Sequence, residues 1–112
     1  MWRALPSAAA FGYLVFWAAS IATGQGMSGD VGKGLALAER LCVTCHVVKR
    51  DATGPIIAGV PSFPTIANRP DQTTDRLSGR IMAPHPPMPT IALTAAEIHD
   101  LAAYILSLRQ AN

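Results

Sequence analysis

Five consecutive residues, Cys42-Val43-Thr44-Cys45-His46, bring two thiols and an imidazole together in a chain with only two cysteines and three histidines. Several uses of such a cluster can be weighed. A structural zinc site wants four Cys or His ligands, more than this chain spaces suitably. A thioredoxin-like redox pair wants a βαβ setting, and no useful stretch alternates with the period of a strand. A disulfide across two residues would be strained and would leave His46 idle. The remaining use fits: Cys-x-x-Cys-His is the sequence to which c-type haem is attached. The thiols add to two vinyl groups on one side of the porphyrin. The two intervening residues let one helical turn span that gap, and His46 then points its imidazole at the iron.

An electron-carrying iron needs a second axial ligand, and Met88 is the candidate. A thioether is a soft, weak donor, and a Met/His pair raises the reduction potential. A lone Met is ordinarily core filler, but this one lies in Pro84-His85-Pro86-Pro87-Met88-Pro89. Proline fixes φ and lacks an amide hydrogen, so a stiff extended strap is expected there. His85 is the rival ligand. Met82 reads as a packed helix residue, and His99 as a solvated one. A ligating His usually donates its other ring hydrogen to a carbonyl, which the Thr53-Gly54-Pro55 turn could supply from Pro55. Arg69, Arg76 and Arg80 are the nearest cations for haem propionates.

The elements that must position these groups are helical. Asp30 or Ser28 can cap a helix from about Val31 to Leu41, with Val31, Leu35, Ala38 and Cys42 on one face. Residues 53–70 carry enough Gly and Pro to read as loop. A short helix is expected from Thr73 or Thr74 to Met82, burying Leu77 and Ile81. Thr94 and Glu97 form a capping box, after which Ile98, Leu101, Ala102, Ile105 and Leu108 follow the helical period. Arg109 stands in the last turn, where a cation suits the helix dipole.

Residues 4–22 carry no charge and follow Arg3. A positive start, an apolar centre and small residues at the end read as a secretory signal, with cleavage after Ala22 or Gly24. The alternative is a retained membrane anchor, since this length nearly spans a hydrocarbon core of ~30 Å. Residues 1–24 are thus a signal peptide or anchor, and residues 25–112 one exported domain. A domain of that size often needs a cofactor or other staple. Removing Arg3 takes the formal net charge from +2 to +1, too little to indicate nucleic acid or an anionic surface as a partner.

Over residues 28–112 the chain resembles class I cytochrome c, particularly its small bacterial monohaem members. The resemblance rests on Gly34 to His46, Thr53-Gly54-Pro55, Met88 in its proline-rich strap, and Asp100 to Ile105. It implies an all-α cytochrome c fold: N- and C-terminal helices crossing around one covalently bound haem c, with one or more short helices and long loops. It further implies Gly34 at the helix crossing, the Pro55 carbonyl on the axial His46, and Tyr104 packed against the first helix and the haem. Two departures stand out. Ala38 occupies the place of an aromatic residue four before the first Cys, and the exported part lacks a tryptophan for the propionates. The implied function is periplasmic electron transfer between partner proteins, with haem cycling between Fe(II) and Fe(III) under His46/Met88 ligation. The chain would be a carrier rather than an enzyme. A subunit of a redox complex held by residues 4–22, and a ligand-binding haem protein with an open sixth position, are the competing readings.

Overall fold

The computed structural model describes Met1 and residues 28–83 and 85–110. They form four helices: α1 (Val31–Leu41), α2 (Phe63–Ala67), α3 (Thr74–Met82) and α4 (Ala95–Ser107). The described residues contain no strand, only an isolated bridge between His85 and Met88. This is the all-α architecture expected. The export or anchor segment expected over residues 1–24 lies, but for Met1, outside the described residues. Among those described, no helix is long and apolar enough to cross a membrane.

All four helices begin where short polar side chains satisfy their first amides. Asp30 accepts from Lys33 N at 2.8 Å, and Thr73 from Arg76 N at 3.2 Å. At α4 the capping box is complete: Glu97 N donates to Thr94 Oγ1 at 3.2 Å, and Thr94 N donates to Glu97 Oε2 at 2.8 Å. Helix α2 falls inside the stretch expected as loop. Its Pro64 lies in the first turn, where an amide hydrogen has no helical partner to lose and proline is tolerated. Ser62 caps it, accepting from Thr65 N at 3.2 Å.

Helix α4 is the hub. Each other helix packs against it, and none packs against another. The α1–α4 crossing is closest at Gly34, where a Cβ would stand 2.0 Å from the Asp100 carbonyl oxygen and 2.6 Å from Tyr104 Cβ. Such separations leave room for no side chain. Ala38 and Ala102 have no solvent exposure at all, so small residues continue the close approach. Asp30 N donates to Asp100 Oδ1 at 2.7 Å and fastens the start of α1 to α4. The crossing corrects the face expected for α1: Gly34, Leu37 and Ala38 are buried, whereas Val31 is exposed and Leu35 only partly covered.

Around the crossing, Leu101, Ile105 and Leu108 of the α4 region meet Phe63, Ala67 and Leu77 in one apolar cluster. Burying one such Leu or Ile contributes ~1.5–3 kcal/mol. Leu77 is buried as expected and Ile81 packs partly covered beside it, but Met82 points into solvent. Arg109 lies past the end of α4, and its guanidinium does more than face a dipole. It donates to the Ala67 carbonyl at 3.0 Å and the Gln72 carbonyl at 2.7 Å, tying down the α2–α3 connection.

Gly34→Ala should lower the unfolding free energy of the holoprotein by about 1–3 kcal/mol, the usual cost of overpacking. Gly79→Ala, at a helical site with open space around it, should raise it by about 0.5–1 kcal/mol. Denaturant titrations of both variants would measure this contrast. Glu97 gives a second test. Hydrogen bonds from the Thr94 backbone and side chain hold its carboxyl below the ordinary 4.5. Its contribution is therefore present above pH 4.5 and lost as pH falls through the folded-state value. Glu97→Gln keeps a capping partner without titrating, so its stability should fall less steeply with acid over that window.

Candidate haem site

The attachment motif continues directly from α1. Cys42 N donates to Ala38 O at 2.9 Å, and His46 N in turn donates to Cys42 O at 2.9 Å. One further turn thus carries the chain from the first cysteine to the histidine. Cys42 is buried and Cys45 exposed. Burial, with Cys45 adding to it, pushes the Cys42 thiol up to about 11. A thioether at this position has no proton to lose, so burial opposes nothing once that bond is made.

His46 is oriented by a backbone carbonyl, as expected of a ligating imidazole, but the carbonyl belongs to Pro61. His46 Nδ1 donates to Pro61 O at 2.7 Å. This corrects the expectation for Pro55, which is exposed and flanks only a minor hollow behind His46. The reason lies in the intervening chain. Val60 N donates to Ile57 O at 3.0 Å, closing a turn in which Gly59 has φ 79°, a left-handed conformation that suits glycine. Phe63 N donates to Val47 O at 2.9 Å just beyond. Those two constraints bring Pro61 onto the imidazole. With Nδ1 donating, Nε2 keeps the lone pair a metal needs.

The residues after His46 are held as firmly. Tyr104 Oη donates to the buried Val48 carbonyl at 2.6 Å, and Arg50 Nη2 to the Leu108 carbonyl at 2.8 Å. Tyr104 does pack against α1 at Gly34, but it does not line the hollow into which the motif faces. Phe63 takes that place, its ring 5.2 Å from the His46 ring and 6.4 Å from that of Tyr104. Burial pushes the Tyr104 hydroxyl up, with Lys49 opposing.

Two adjoining hollows, about 520 and 180 Å³, share Cys42, His46, Gly59, Pro61, Arg80, His85 and Met88 in their walls. Cys45 joins the larger hollow, Phe63 and Arg69 the smaller. Their volume falls in the range of small-molecule and cofactor sites. The donors present fit haem: two thiols from one turn, an oriented imidazole, and a thioether supplied by a distant strap. That strap is not extended. Met88 N donates to His85 O at 2.9 Å, so Pro86 and Pro87 form the bend of a tight turn. Of the three arginines considered for propionates, Arg69 and Arg80 line the space, while Arg76 pairs with Asp71. His99 is partly buried on α4, away from these walls.

Phe63 and Pro61 are the site residues missed in the sequence. Their signal was a proline and an aromatic flanking a capping Ser62, which marks a helix start rather than a loop.

The sequence model of the cytochrome c family matches residues 31–109. Cytochrome c-552 of Bradyrhizobium diazoefficiens is 40% identical over 100 residues, covering 88% of this chain and 93% of that protein. No solved structure matches the chain.

Tyr104→Phe leaves the Val48 carbonyl without its partner and should destabilise the holoprotein by about 1–2 kcal/mol. Because Phe63 stands between Tyr104 and the hollow, the haem absorption bands should stay unchanged. Phe63→Leu should shift them, since it alters the wall itself. Unfolding curves and visible spectra of the two variants would check the distinction.

Proposed function

Since the chain belongs to the cytochrome c family, it carries covalently bound haem c and transfers electrons to and from partner proteins, and we propose that His46 and Met88 are the axial ligands of its iron. The bound haem supplies the one-electron chemistry, between Fe(II) and Fe(III). The protein's residues hold it, exclude water and set its potential. Cys42 and Cys45 would provide the thioethers. His46 is kept in one tautomer by Pro61 O at 2.7 Å, which makes Nε2 a fixed donor. Met88 would close the opposite side, held by the prolines that bend its strap. Rigid ligands change little between oxidation states, which lowers the reorganisation accompanying electron transfer.

The observation that carries this reading is that His46 and Met88, 42 positions apart in sequence, line the same hollow as Cys42 and Cys45. Leu41, Ile57, Val60 and Ile91 add apolar wall, and an apolar setting with a thioether ligand favours the reduced, less charged iron. Arg69 and Arg80 would face the propionates. The protein works in the periplasm in this reading, exported by residues 1–24, which are either removed or kept as a tether through residues 4–22. A retained tether would make it a bound carrier within a redox complex, with the same chemistry. Determining the N-terminus of the native protein separates the two.

Reduced holoprotein should show the same absorption spectrum with and without carbon monoxide, because both axial positions are filled. A prompt carbon monoxide adduct would remove Met88 as the resident ligand and favour a ligand-binding haem protein.

A further inference from the structure

The turn at Pro86 and Pro87 brings two metal-binding side chains to one place, not one. His85 and Met88 are paired as an antiparallel bridge, and Met88 N donates to His85 O at 2.9 Å. Residues directly opposed in such a pair project their side chains to the same side of the ribbon. Both accordingly line the larger and the smaller hollow, together with His46.

The His85 ring also makes the kind of hydrogen bond a ligating imidazole makes. Its Nδ1 lies 2.9 Å from Ala83 O. A carbonyl only accepts, so Nδ1 carries the hydrogen and Nε2 keeps its lone pair in the neutral ring. His46 is held by the same device, with Pro61 O in the place of Ala83 O. The chain therefore builds an oriented imidazole twice around one cavity, once on the attachment motif and once beside the thioether.

The geometry points to His85 as a second sixth-position ligand for the same iron, held beside Met88 and taking the iron when the thioether leaves it. This rests on the His46/Met88 reading of the site. In the exchange one iron–sulfur bond breaks and one iron–nitrogen bond forms, with no electron gained or lost. A Met/His pair raises the potential, so replacing sulfur by nitrogen lowers it. The sixth position stays closed, and the haem does not become open to carbon monoxide or peroxide.

Three holoprotein variants test this: Met88→Ala, His85→Ala, and the two together, each checked for native helix content by circular dichroism. Met88→Ala should remain six-coordinate and low-spin, with a lower reduction potential and no prompt carbon monoxide adduct. The double variant should become high-spin and bind carbon monoxide promptly. His85→Ala alone should stay six-coordinate and low-spin, with no prompt carbon monoxide adduct. A Met88→Ala protein that is high-spin and binds carbon monoxide as fast as the double variant would overturn the reserve ligand while leaving Met88 as the resident one. A Met88→Ala protein whose spectrum and potential match the native protein would overturn both, and His85→Ala would then show whether His85 is the resident ligand.

Discussion

The whole arrangement hangs on how closely α1 can approach α4. At Gly34 the backbones come so near that a single methyl group would collide with the Asp100 carbonyl and with Tyr104. That contact aligns the end of α1, and the end of α1 is where the attachment motif begins. Since α2 and α3 also rest on α4 and not on each other, every helical wall of the hollow is referred to one element. A shift of α1 along α4 would move both cysteines and His46 together, relative to a strap that belongs to the other side.

Hydrogen bonding finishes what packing starts. Val47, Val48 and Arg50 are each tied to a different part of the chain: the start of α2, the Tyr104 hydroxyl, and the Leu108 carbonyl just past α4. His46 is tied to Pro61. The segment after the motif contains no regular structure, yet the Val47, Val48 and Pro61 carbonyls each meet a specific partner. Irregular chain can be as well placed as a helix when its donors and acceptors are satisfied in this way.

Much of the fold was legible because its signals are local. Asp30, Thr73 and Thr94 each announce a helix start within three residues of the amide they cap, and the apolar period of α4 names its buried side correctly down to Leu108. What was not legible depends on distant contacts. The buried face of α1 is set by the crossing at Gly34, so Val31 is left exposed despite fitting the period. Pro55 and Pro61 both follow the motif in one loop, and only the Gly59 turn and the Val47–Phe63 tie decide which carbonyl meets His46. Pro64 looked like a breaker because its place in the first turn of α2 is a property of the cap, not of proline. At the site itself, the motif residues and Met88 were readable from residue chemistry. Phe63 was not, since nothing in its local context says that it stands in front of Tyr104.

The bond from Asp30 to Asp100 joins residues 70 apart, and closing a loop of that length carries an entropic cost that must be met by contacts formed at the same time. Among the helices α1 rests on α4 alone, so the cysteines and His46 are fixed in place only once these distant residues meet. The placement of the motif is thus a property of the closed loop and not of the motif's own turn.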